Sequence, residues 1–365
     1  MTGENKPMRS AKRLLFIAGV LVAATNAASQ PLASGPTSND QKLPGAEVLH
    51  ERADALIPNA RTDTGAAFLE ATKELPKRLR RYLWVNQRFT LAYTESQYAD
   101  LSEREKNLLR FRPVTELAYY AGIAERPLMD FLPLDLVVYG TGMESPEGLA
   151  GRKILLYNPR VSTQGWLLAS LGADVTILHD QVRMSGVYAQ HKDHGTVESV
   201  VDGPDGSLRF IRADWPTQSV ENIGEGYDIV IVSDWISAGL SIQNAVPPRW
   251  VTPGRPMRQM ASSPDQFLAG VAQILAPGGR FITYAYGPIE PRLAASTQPY
   301  SNVRAPYSQE AITDSGLDLV VLDADDSDAF LKASIATDYQ NPSLNDEGVP
   351  TMIAAYTIFV KPATD

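Results

Sequence analysis

Apolar residues change their spacing partway along the chain, and the change divides it in two. Between residue 46 and about residue 126 they recur at helical intervals, predicting helices over 46–56, 64–74, 77–96 and 102–110, with Pro58, Pro76 and Pro113 as stops. Ser102 and Glu105 have the spacing of a capping box. Beyond residue 149, short apolar runs alternate with helical stretches, the pattern of a parallel α/β sheet. Strands are expected at 153–157, 174–178, 208–212, 228–233 and 280–286, and helices at 164–171, 264–275 and 308–315. Two last runs, 317–323 and 352–361, suit an antiparallel pair. Val137–Tyr139 is a further edge-strand candidate, and 141–148 reads as the link between the halves.

The first 45 residues fit neither pattern. Lys6, Arg9, Lys12 and Arg13 precede an apolar run from Leu14 to Ala24, and small residues follow up to Ser29. Eleven apolar residues are too few for a bilayer span, which takes about 20. Residues 1–28 therefore read as an export signal, placing the remainder in a periplasm-like space, with membrane contact only through that signal. Translation from Met8 or later would leave the chain cytoplasmic. Residues 29–45, rich in Pro, Gly, Ser and Asn, read as a flexible linker. The remaining divisions are a helical region over 46–148 and an α/β domain over 149–365.

Composition narrows the chemistry. The 365 residues include no cysteine, which excludes a disulfide framework, a thiolate metal site and a cysteine nucleophile. Only His50, His179, His191 and His194 are available as imidazole ligands, so no metal centre is expected. A net charge of −9 argues against nucleic acid as a partner.

Candidate chemistry gathers at the ends of the predicted strands. In order along the chain stand Ile154-Leu155-Leu156-Tyr157, then Val175-Thr176-Ile177-Leu178-His179-Asp180, then Arg209-Phe210-Ile211-Arg212-Ala213-Asp214-Trp215. Tyr227-Asp228-Ile229-Val230-Ile231-Val232-Ser233-Asp234 and Leu275-Ala276-Pro277-Gly278-Gly279-Arg280 follow. In this order they resemble the class I S-adenosylmethionine-dependent methyltransferases, over some 60% of the chain. The resemblance implies a Rossmann-like sheet, mostly parallel with an antiparallel C-terminal strand, carrying a helical N-terminal extension. It also implies S-adenosylmethionine as cofactor and a small-molecule acceptor methylated on oxygen or nitrogen. Asp180 would accept hydrogen bonds from the ribose hydroxyls, while Asp214 and Trp215 would lie on the adenine side. Asn158, Gln164 and Gly165 would stand beside the methionine part, and Asp234 would be the catalytic base or orienting group.

The loop after the first strand departs from that family. It reads Asn158-Pro159-Arg160-Val161-Ser162-Thr163-Gln164-Gly165, with one glycine and no acid. Proline removes a backbone donor, and Arg160 suits the cofactor's carboxylate but repels its sulfonium. Export also separates the domain from a cofactor made in the cytosol. Two functions therefore stay open: a methyltransferase, and an exported non-catalytic module of the same fold.

Other features have plainer readings. His191 and His194 sit three apart, as metal ligands or a general base would on a helix, or simply in a solvated loop. The basic and aromatic residues of 77–89 read as an amphipathic helix with its aromatics inward. Pro247 to Pro256 form an irregular insertion suited to a lid or to packing. Asp323 to Asp328 lack the glycine and glutamate of a calcium loop and read as a solvated turn.

The signal is tested by intact-mass measurement on protein from its native host. Cleavage after Ala27 or Ala28 is expected, which takes a net +3 from a chain of −9 and leaves −12. A full-length cytosolic product would overturn it.

Overall fold

The computed structural model describes residues 46–74, 80–87, 91–115, 126–157, 163–179, 188, 193–213, 220–233, 264–288, 303, 305, 307–337 and 352–363. All belong to one compact unit, Lys42–Asp365. The signal and linker expected over 1–45 lie outside the described residues. No described helix is long and apolar enough to cross a membrane.

A small sheet comes first: β1 (Arg80–Asn86), β2 (Ala92–Tyr93) and β3 (Leu109–Thr115), antiparallel in the order β2-β1-β3. It corrects the helices expected over 77–96 and 102–110. Residues 82–85 alternate with period two: Leu83 and Val85 are buried, while Tyr82 is exposed and stacks on Phe111 of β3 at 5.3 Å. Pairing with β3, more than twenty residues away, decides for the strand. The capping box is present, with Ser102 and Glu105 bonded reciprocally, but it starts only the short helix Glu103–Lys106.

The main sheet holds β4 (Lys153–Tyr157), β5 (Asp174–His179), β6 (Gly195–Val197), β7 (Gly206–Arg212), β8 (Tyr227–Ser233), β9 (Leu275–Pro288), β10 (Asp318–Asp325) and β11 (Met352–Val360). Their order is β10-β11-β9-β8-β4-β5-β7-β6. The chain steps from β4 outward through β5 to β7, then returns to the other side of β4 for β8 and β9, all five parallel. β11 inserts antiparallel between β9 and β10, and β6 adds an antiparallel edge to β7. This is a Rossmann-like α/β sheet of the expected class, mostly parallel, with the antiparallel C-terminal strand in place.

Both faces of the sheet are buried. Ile154, Leu156, Val175, Ile177, Ile229, Ile231, Ile282 and Ile358 face one core cluster. Leu155, Tyr157, Leu178, Val230, Val232, Phe281 and Phe359 face the other. The first is covered by α1 (Ala46–Leu56), α2 (Asp63–Ala71), α3 (Phe131–Val138), α4 (Thr163–Ser170) and, after the strands, the helix Ser327–Thr337. The second is covered by α5 (Pro264–Ile274) and α6 (Gln309–Asp314), so that Ser327–Thr337 becomes α7. Val137 and Val138, read as an edge strand, belong to α3. All eight α3 residues are buried, so the run carries no period that separates helix from strand.

The Pro277-Gly278-Gly279 turn is architectural. It forms the irregularity between the pairs Tyr227–Leu275 and Ile229–Arg280, and Gly278 takes φ +75°. Arg280 then donates to the carbonyls of Val137 and Tyr139 at the end of α3, at 3.2 and 3.1 Å.

Two buried carboxylates fasten the N-terminal helices. Asp135, inside the apolar α3, accepts from the backbone N–H of Arg61 at 2.6 Å and of Thr62 at 3.2 Å, and from the Thr62 hydroxyl. These bonds sit at the start of α2, where Thr62 caps Gly65. Asp326 accepts from Arg61 Nη2 and, at 3.0 Å, from the Tyr284 hydroxyl. It is buried, which corrects the solvated turn expected at 323–328.

Burial pushes the Asp135 carboxyl above its ordinary range, against the pull of its donors and of Arg61. Between the ordinary range and that raised value the folded chain holds more protons than the unfolded one. This group's contribution is therefore complete below the ordinary range and is lost as pH rises through the native value. Urea denaturation should show the native protein gaining stability relative to Asp135→Asn as pH falls from about 6 to about 4. A difference that does not change with pH would overturn it.

Candidate functional site

Strand order reverses between β4 and β8, and in an open α/β sheet the ligand crevice lies outside the carboxyl ends of the strands at such a point. β4 ends at Tyr157, and α4 begins at Thr163, bringing its first turn back to that edge. Thr163 and Gln164 are each about 1% exposed. Among the described residues, neither Thr163 Oγ1 nor Gln164 Nε2 has a hydrogen-bond partner. At the end of β8, Ser233 Oγ is likewise buried and unpartnered. An unsatisfied buried polar group costs about 1–3 kcal/mol. Among the described residues such groups stand at the start of α4 and the end of β8, and elsewhere at Tyr307 and Ser334.

Gly165 follows Gln164 on α4. A Cβ there would stand 2.5 Å from Ile177 Cδ1 and 3.2 Å from Leu208 Cδ1, so glycine lets α4 press onto β5 and β7 and fixes the height of Gln164.

On the β5 side, the buried His179 ring meets Phe210 edge-on, with centroids 6.5 Å apart. Phe210 stacks under Tyr188 at 4.1 Å. His194 Nδ1 accepts from the Phe210 N–H at 3.4 Å, and its Nε2 lies 3.0 Å from the Tyr188 carbonyl, which assigns the proton to Nε2. His194 thus ties the loop to β7. The described residues contain no cluster of three His or carboxylate side chains able to hold a metal.

Of the residues picked out by the sequence, Gln164 and Gly165 are described, both buried in the first turn of α4 where it packs on β5 and β7. Asn158, Asp180, Asp214, Trp215 and Asp234 lie outside the described residues, as does His191. In the sequence, Asn158, Asp180 and Asp234 directly follow the last residues of β4, β5 and β8. Thr163 and Ser233 escaped the sequence reading because hydroxyl residues at strand and helix ends are ordinary caps. Asp135 left a readable trace, one carboxylate within the apolar Phe131–Val138.

No family model matches this chain, and no curated protein matches it. Solved structures similar to it include N-methyltransferase NodS from Bradyrhizobium japonicum, at 11% identity and a TM-score of 0.35 over 66% of this chain and 98% of that one. Magnesium protoporphyrin IX methyltransferase from Synechocystis, with bound SAH, is similar at 16% identity and a TM-score of 0.32, over 64% and 81%. The [4+2]-cyclase SpnF is similar at 13% identity and a TM-score of 0.36, over 63% and 80%. The fold assignment rests on the strand order itself.

Replacing Gln164 with leucine removes the orphaned amide at nearly constant volume. The ligand-free protein should gain about 1 kcal/mol in urea denaturation. A loss of that size would mean that the amide is satisfied.

Proposed function

We propose that the chain binds S-adenosylmethionine at the carboxyl ends of β4, β5, β7 and β8 and transfers its methyl group to an oxygen or nitrogen of a small molecule. The observation that carries this reading is the set of buried, unpartnered groups on Thr163 and Gln164, at the start of the helix that follows β4, and on Ser233, at the end of β8. These groups fit such a ligand. The Gln164 amide is a donor without an acceptor, and the first turn of α4 favours an anion, as the ligand's carboxylate is. The Thr163 and Ser233 hydroxyls both donate and accept.

Bound S-adenosylmethionine would supply an electrophilic methyl group. The protein's work is then to hold two reactants in line and exclude water. Gln164 and Thr163, with Asn158, would orient the amino-acid end. Asp180 would accept from the ribose hydroxyls, with Asp214 and Trp215 around the base. Asp234, next in the chain after Ser233, would take the acceptor's proton. The export signal over 1–28 is part of this proposal, and it requires that the cofactor reach the exported domain or that the chain act before export.

Isothermal calorimetry with S-adenosylmethionine and S-adenosylhomocysteine tests the reading. Binding of both is expected, weakened about tenfold by Gln164→Leu, the worth of one buried hydrogen bond. Absence of binding at about 1 mM, a level at which even weak specific ligands register, would overturn it in favour of the non-catalytic module.

A further inference from the structure

A second concavity lies on the same edge of the sheet but away from the crevice. It is a cleft of about 340 Å³ beyond the end of β10, against the first turns of α7. β11, β9 and β8 separate β10 from β4, which puts the cleft about 15–20 Å from the β4–β8 boundary at the spacing of neighbouring strands. Arg61, Asp325, Asp328 and Lys332 stand on its walls, and the buried Phe131 and Leu132 lie behind them.

The charges of this cleft are arranged for an outside partner. Arg61 is held from both ends, its backbone N–H on Asp135 and its Nη2 on the buried Asp326. The Arg61 side chain is still 35% exposed, and Asp326 is its one ion-pair partner among the described residues. A guanidinium carries five N–H donors, so most of the fork remains for a ligand. Asp326 would ordinarily cap α7, since its carbonyl accepts from Phe330 N–H, but its carboxylate faces Arg61 and Tyr284 instead. Asp328 and Lys332 are one helical turn apart, the spacing at which opposite charges pair on a helix. Among the described residues they do not pair, with each other or with any other ion. One wall therefore offers an open cation beside Arg61, and another an open carboxylate beside Asp325, whose Oδ1 already accepts from the Ser327 N–H and hydroxyl.

We propose that this cleft binds a small zwitterion, of which a free neutral α-amino acid is the minimal form. Its carboxylate meets the Arg61 fork and Lys332, and its ammonium meets Asp328 and the Asp325 oxygen that Ser327 leaves free. A simple anion is disfavoured by the carboxylates of Asp325 and Asp328, and a simple cation by Arg61 and Lys332. The proposal stands apart from methyl transfer, because it uses none of the crevice residues.

Calorimetry of the full chain with L-leucine, L-leucinamide and N-acetyl-L-leucine tests it. Leucine should bind, and each analogue should bind about tenfold more weakly for want of one charged hydrogen-bonded contact. Asp328→Asn should weaken leucine about fivefold while leaving N-acetyl-L-leucine unchanged, and Lys332→Met should weaken leucine similarly while leaving L-leucinamide unchanged. Both positions are exposed and lack ion partners, so the melting temperature should hold in each variant. No binding at about 10 mM leucine, or a leucine affinity indifferent to both substitutions, would overturn the proposal.

Discussion

Parallel strands at the centre of a sheet have two apolar faces, and both must be kept from water. β4 and β8 meet that demand with Ile154, Leu156, Ile229 and Ile231 on one side and Leu155, Tyr157, Val230 and Val232 on the other. Two helical layers are needed. Among the described residues, the chain from β4 onward supplies α5 and α6 for one face and α4 and α7 for the other. To the second layer are added α1, α2 and α3, whose Leu49, Phe68, Leu69 and Phe131 share a core with the sheet. The N-terminal helices are thus part of a layer of the fold.

Placing helices on the sheet in this way brings polar groups inside, and each needs an answer. Asp135 meets the amides at the start of α2, and Gly65 is required beside it because a Cβ would collide with the carboxylate. Burial pushes Asp326 upward too, against the pull of Arg61 and Tyr284. The Tyr284 hydroxyl, fully enclosed, is driven well above its ordinary value and stays a donor. This arrangement joins α2, β9 and α7. Lost pairing would leave a charge in the core, which is why such groups are all or nothing.

At the crevice the same accounting comes out incomplete. Thr163, Gln164 and Ser233 are buried without partners, and the ligand-free chain bears that cost where a doubly wound sheet binds its ligands. Fold alone leaves the chemistry open, since one sheet order serves many reactions. The three orphaned groups suit a ligand with several polar atoms, at least one of them an acceptor.

Much of this was legible in the sequence, and for one reason. Central parallel strands are continuous apolar runs bounded by turn residues, so β4, β5, β7, β8 and β11 declare themselves locally, as does the Pro277-Gly278-Gly279 turn. The absence of cysteine and the acidic net charge needed no structure at all. β1 and β3 were hidden because their pairing is between distant segments and seven residues mixing arginines and aromatics satisfy a helical period as well as an alternating one. α3 was hidden because complete burial erases the period. Gln164 was picked out as a ligand group from its place after the first strand, but that it is buried and unpartnered depends on Gly165 pressing α4 onto Ile177 and Leu208. The roles of Asp326 and Arg61 were the least legible. They stand 265 positions apart, and only the packing of α2 and α7 on one face of the sheet makes an exposed-looking aspartate a buried one. Local patterning determines which segments become strands and helices; burial and charge pairing are properties of surfaces that exist only once those segments have met.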